Sequence, residues 1–98
     1  LLACARAGCA LVPLNWRLTA TELETLLADA APSLLVVDGH CAPLYTDAMR
    51  ALCGDRVMSL RDPASSFRDV RTLAQTSGDP APDAGDGDAP LLLVYTSG

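Results

Sequence analysis

The chain has 98 residues, half of them hydrophobic, and a formal net charge of −5 from seven basic and twelve acidic side chains. That length allows one domain at most and buries a small share of its surface, so folding alone is marginal. The acidic balance excludes the clustered Lys and Arg of a nucleic-acid surface, no apolar run reaches the 18 residues of a membrane span because Arg6 interrupts the most apolar N-terminal stretch, and no secretory signal is visible.

Residues 1–8, LLACARAG, read as the last turns of a helix closed by Gly8. CALVPL, residues 9–14, suits a short buried strand with Pro13 near its exit. In LTATELETLLADAAP, Thr19 and Glu22 have the spacing of a capping box, and Leu23, Leu26 and Leu27 form the apolar stripe of a helix that Pro32 ends. SLLVVD, residues 33–38, is an apolar run bounded by Pro32 and Gly39, the pattern of a strand covered on both faces. Residues 42–53 carry Leu44, Met49 and Leu52 at roughly helical spacing, with Gly54 closing the segment. RVMSL, residues 56–60, is a further strand. SSFRDVRTLAQ, residues 65–75, is expected to start a helix at Ser65 or Ser66 with an apolar face of Phe67, Val70, Leu73 and Ala74.

Residues 77–90, SGDPAPDAGDGDAP, lack any large apolar side chain and read as an exposed acidic loop. Their aspartates lack the EF-hand pattern, so solvated carboxylates are the better reading than calcium ligands. LLLVY, residues 91–95, is the fourth strand. Strands alternating with helices imply an α/β fold with a mostly parallel sheet, whose ligands lie beyond the carboxyl ends of its strands.

Cys4, Cys9, Cys41 and Cys53 form no C-x-x-C pair, and His40 is the single histidine, so no metal site is expected. Small, partly buried thiols in a reducing cytoplasm account for them, although the count alone leaves disulfides open. His40 is expected in a turn, and Asp38 and Asp47 as exposed carboxylates.

Thr96, Ser97 and Gly98 follow the last strand. Glycine lets main chain approach an anion closely, successive N–H groups can cradle phosphate oxygens, and two hydroxyls add donors. Three residues alone read better as an ordinary polar turn after a strand. No Walker loop is present, and the single G-x-G, at Gly85 and Gly87, precedes a strand, the wrong context for a dinucleotide site.

Three stretches together resemble the adenylate-forming superfamily of acyl-CoA synthetases, adenylation domains and luciferases: ARAGCALVPLNWRLTATEL at residues 5–23, ADAAPSLLVVD at 28–38, and the acidic linker running into LLLVYTSG. PLNWRL, residues 13–18, is similar to the acyl-CoA synthetase branch. The resemblance implies that residues 1–98 form part of the large N-terminal domain of such an enzyme. It further implies that the YTSG run opens a phosphate-binding loop that continues Thr-Thr-Gly-x-Pro-Lys-Gly. Thr96, Ser97 and Gly98 are then the candidate contacts to ATP, with Tyr95 as the strand end. Trp16 is expected to pack at the sheet margin, with Asn15 and Arg17 fixing the loop.

The implied parent activity is an acid–thiol ligase. A small-molecule carboxylate is activated by ATP and Mg2+, and its acyl group is then passed to coenzyme A. A cytoplasmic location is expected. With Leu1 in place of Met and Gly98 last, the resemblance implies the expectation of a piece cut within the phosphate loop. Without the loop lysine, the adenine and magnesium motifs, the acyl pocket and the C-terminal lid, that piece is expected to be inactive, and no catalytic residue is assigned. The other reading is a freestanding, non-catalytic α/β binding or interaction module.

Overall fold

The computed structural model describes residues 1–61, 66–76 and 78–96. In chain order its elements are α1 (Leu2–Ala7), α2 (Ala20–Ala30), β1 (Leu35–Asp38), a 3₁₀ turn (Ala42–Leu44), α3 (Asp47–Cys53), β2 (Val57–Leu60), β3 (Arg68–Asp69) and α4 (Val70–Ala74). They separate into two units, one spanning Trp16–Ser77 and the other combining Leu1–Asn15 with Gly78–Gly98.

In the 16–77 unit, α2 begins as its sequence demands. The Thr19 hydroxyl accepts from the Glu22 N–H at 3.3 Å, and the Glu22 carboxylate accepts from the Thr19 N–H at 2.8 Å. Such reciprocal capping satisfies two N–H groups that the helix cannot pair internally. Those bonds, the main-chain one foremost, hold the Glu22 carboxyl below its ordinary pKa. The helix ends at Ala30, and Ala31 turns left-handed just before Pro32. Leu23 and Leu27 of the predicted stripe are buried, and Leu26 is half-buried.

The sheet is wholly parallel in the order β1–β2–β3, with Leu35 opposite Val57 and Ser59 opposite Asp69. The chain runs from β1 to β2 through α3, and parallel strands need such a crossover. Helix α3 packs against α2, and α4 against β2 and β3. Leu23, Leu27, Val37, Met49, Cys53 and Val57 make the core, together with the fully buried Ser59. The Ser59 hydroxyl donates to the Phe67 carbonyl at 3.5 Å. The expected α/β architecture, a parallel sheet flanked by helices, is therefore present.

Several local expectations are corrected. Residues 33–38 were expected to be covered on both faces; Val37 is buried but Val36 is 47% exposed. The helix expected over 42–53 is two pieces. Pro43 supports a short 3₁₀ turn, and Thr46 then caps α3 by accepting from the Met49 N–H at 3.2 Å. The Thr46 hydroxyl also donates to Glu24 of α2 at 2.5 Å, which ties the cap to the neighbouring helix. This restart rotates the helix face, so Cys53 enters the core and Leu52 points outward. The helix expected over 65–75 is shorter. Ser65 lies outside the described residues, Arg68 and Asp69 pair with β2 instead, and Asp69 caps α4 by accepting from the Arg71 N–H at 2.7 Å. The Arg71 guanidinium on Asp69 holds that carboxyl below its ordinary range.

At the far end of α3, Arg56 collects carbonyls. Its guanidinium donates to Leu52 at 2.8 Å, Cys53 at 3.1 Å and Pro32 at 3.3 Å, and its own carbonyl accepts from the Leu35 N–H at 2.8 Å. Cations suit this position because the last helical carbonyls lack internal partners and carry partial negative charge.

In the other unit, α1 closes as predicted. Gly8 adopts φ 66°, ψ 32°; its N–H donates to the Ala5 carbonyl at 3.2 Å and the Cys9 N–H to the Cys4 carbonyl at 3.0 Å. This double bond pattern is a Schellman motif. The two strands expected at 9–14 and 91–95 reduce to a single parallel bridge between Leu11 and Leu92, with Leu11 N–H donating to Leu91 at 2.9 Å and Leu93 N–H to Leu11 at 3.0 Å. Donors explain the shortness. In a parallel ladder every second residue of a strand bonds, so Cys9 and Pro13 are the next in turn. The Cys9 N–H is spent on the helix cap, and Pro13 has no N–H to give.

Candidate functional site

The candidate site lies where residues 91–95 lead into Thr96. Thr96 is exposed, with half-buried Tyr95 before it. Ser97 and Gly98, the other two candidate contacts, lie outside the described residues.

The approach to Thr96 is built from backbone contacts. The Ala84 N–H donates to the Arg6 carbonyl of α1 at 2.8 Å. A Cβ on Gly8 would stand 2.5 Å from the Ala84 oxygen, and one on Gly85 would stand 2.9 Å from the Ala5 oxygen. Both positions therefore need glycine: Gly8 for its left-handed φ as well as the close approach, Gly85 for the approach. Asp83 and Asp86 fold the segment locally by accepting from the Gly85 and Asp88 N–H groups at 2.8 and 3.0 Å. The described residues 78–90 form no helix or strand. The sequence reading missed their docking onto α1. The usable signal was Gly85, which was weighed only as part of a nucleotide motif.

Chemically, residues 91–96 carry no carboxylate, and Thr96 brings a neutral hydroxyl. That donor set fits a phosphate oxygen, which hydroxyl and main-chain N–H groups can bind. It does not fit Mg2+, which takes carboxylates; among the described residues no group of three or more His, Cys, Asp or Glu side chains gathers to hold a metal. Nor does an open depression of about 410 Å³ on the same unit serve a polyphosphate. Arg6, Cys9, Asp83, Asp86 and Leu91 help line it, and Thr96 does not. Its two carboxylates against one guanidinium repel anions.

The remaining singled-out residues have local roles. His40 sits in a turn as expected, its N–H donating to Asp38 Oδ1 at 2.7 Å, so Asp38 is a half-buried turn acceptor and not a free carboxylate. Asp47 is fully exposed, 3.8 Å from Arg50. Trp16 does not pack at a sheet margin; it is 64% exposed beneath the Arg17 guanidinium, 5.2 Å from its ring centroid. Tyr45 meets Phe67 edge-to-face at 5.2 Å, and burial pushes its hydroxyl up in pKa. No helix among the described residues is long and apolar enough to cross a membrane.

A parallel sheet flanked by helices defines an α/β protein. The sequence profile of the family described as "AMP-binding enzyme" matches residues 1–98, and the chain belongs to that family, in its branch of acyl-CoA and fatty-acid ligases. It is 41% identical over its whole length to an indoleacetate–CoA ligase of Aromatoleum aromaticum, covering 20% of that protein. It is 38% identical to a feruloyl-CoA synthase of Amycolatopsis and 32% to a fatty acid–[acyl-carrier-protein] ligase of Streptomyces coeruleorubidus, again over the whole chain and 18% of each relative. A crystal structure from Rhodopseudomonas palustris, assigned as a long-chain-fatty-acid CoA ligase, superposes with a TM-score of 0.78 at 27% identity. That match covers 97% of this chain and 24% of the other. The chain thus spans about a fifth of the length of these curated relatives.

Proposed function

We propose that the polypeptide carrying this chain is an ATP-dependent acid–thiol ligase of the acyl-CoA synthetase type. The observation that carries this reading is the 41% identity across all of residues 1–98 to an indoleacetate–CoA ligase. In the proposed reaction a carboxylate oxygen attacks the α-phosphorus of ATP, and the bond to the leaving pyrophosphate breaks. A thiolate then attacks the acyl carbon of the mixed anhydride, and AMP departs with the bridging oxygen. Thr96, with Ser97 and Gly98, is the proposed contact for the pyrophosphate end of ATP. Such contacts accelerate the first step by holding the leaving group in line and by meeting its growing charge. Mg2+ and the thiol substrate find their ligands elsewhere in the polypeptide. Coenzyme A is the proposed acceptor; the similarity to a ligase that loads a carrier protein makes the acceptor a measurable alternative. The cytoplasm is the proposed location.

The test is carboxylate-dependent ATP–pyrophosphate exchange by the full gene product, over a panel of arylacetic, hydroxycinnamic and fatty acids. Thr96→Ala is expected to lower kcat/KM for ATP by about 10- to 100-fold, as the loss of one hydrogen bond to a charged group of about 1.5–3 kcal/mol requires, while Thr96→Ser retains most activity. Absence of exchange with every acid would favour the non-catalytic module.

A further inference from the structure

Two of the four free cysteines meet. Cys4 and Cys9 are the two ends of the outer bond of the Schellman motif that closes α1, the fourth-last residue of the helix and the second beyond it, with the Cys9 N–H bonded to the Cys4 carbonyl at 3.0 Å. Side chains at these two positions pack against each other, usually as an apolar pair. Here both are thiols. The Cys9 Sγ lies 3.7 Å from the Cys4 carbonyl oxygen, which sets the Cys9 side chain against the residue that bears the other thiol. A disulfide spans Cα atoms about 4.4–6.8 Å apart, and residues joined by a main-chain hydrogen bond lie in that range. Cys41 and Cys53 differ: Cys53 is sealed in the core of the 16–77 unit, and Cys41 is half-buried in the turn after β1.

We infer that Cys4 and Cys9 form a dithiol that low-molecular-weight disulfides oxidise to an intramolecular disulfide across the end of α1. Cys9 is exposed and Cys4 half-buried, which orders the steps. The Cys9 thiol loses its proton to solvent, its sulfur attacks one sulfur of the small disulfide, and one small thiolate leaves. Cys4, likewise deprotonated, then attacks the Cys9 sulfur of the mixed disulfide and releases the second small thiolate. One S–S bond is broken and one is made, and the two electrons lost by the cysteine pair end on the small thiols. Partial desolvation, with the Cys4 thiol beside it, holds the Cys9 thiol above its ordinary pKa.

Trypsin supplies the assay, because Arg6 stands between the two cysteines. The full gene product is incubated with oxidised glutathione, its remaining thiols are alkylated, and the digest is weighed by mass spectrometry. The expected product is the peptide ending at Arg6 joined to the peptide Ala7–Arg17, two hydrogens lighter than their sum and separated by reductant. In Cys4→Ser the second step is blocked, and Cys9 is expected to keep a glutathione adduct that wild type does not retain. Two alkylated cysteines in wild type, or a stable glutathione adduct on wild-type Cys9 with no joined peptides, would overturn the inference.

Discussion

The two units solve the same problem by different means. Every buried residue among the described ones, Leu23, Leu27, Val37, Met49, Cys53, Val57 and Ser59, belongs to the 16–77 unit. The unit made of residues 1–15 and 78–98 buries none of its described residues, although LLLV at 91–94 is as apolar as any stretch of the chain. Its four side chains are 39–55% exposed. One unit is held by side chains removed from water, the other by a helix cap, a two-bond bridge and glycines pressed against carbonyls. Apolar sequence becomes core only where helices cross a sheet; one bridge provides no such surface.

The largest effect should come from Leu27→Ala, which empties a core position 4% exposed. A loss of about 2–5 kcal/mol is expected in urea unfolding of the full gene product, against under about 1 kcal/mol for Leu92→Ala, half-exposed already; equal losses would erase the contrast. Gly8→Ala should come next, at about 1–2 kcal/mol, because a Cβ there collides with Ala84 while φ stays left-handed. Faster hydrogen exchange at the Ala84 amide, with exchange in β2 unchanged, would localise the damage to the backbone-held unit.

A smaller effect than either the core or the Gly8 change belongs to the α2 cap, where Thr19→Ala should cost about 1 kcal/mol. Glu22 adds a pH signature. Its folded pKa is lowered, so the unfolded chain binds the proton more readily. Its stabilisation is therefore complete above the ordinary glutamate value and is lost as pH falls through the lowered one. The melting temperatures of wild type and Glu22→Gln should differ at pH 7 and converge as pH falls below the lowered value.

The legible parts of this molecule were the local ones. The Thr19–Glu22 box and the Gly8 close rest on contacts within a few residues, and both stand as read. Where the reading failed, a distant partner decided. Thr46 looked like a mid-helix residue until Glu24, 22 positions earlier, gave its hydroxyl a partner. Arg68 and Asp69 left the expected helix because β2 offered them a ladder. The strands at 9–14 and 91–95 had the right composition, but Pro13 and the spent Cys9 donor stopped their pairing after one residue. Of the candidate site, the residue types and the order were visible; the docking of residues 83–85 onto α1 was not, since small residues in a polar loop give no periodic signal.

Arg56 limits which sequences can replace this one. Three carbonyls from two separate segments converge on one planar group whose donors point in fixed directions. An ammonium on a flexible stem has the same charge but cannot reproduce that fan of donors. Lysine at position 56 would keep the attraction to the end of α3 and lose the tie to Pro32. Among natural variants of this segment, arginine should therefore persist at position 56 while exposed Asp79 and Asp88, whose carboxylates close no turn of the 78–90 loop, drift freely.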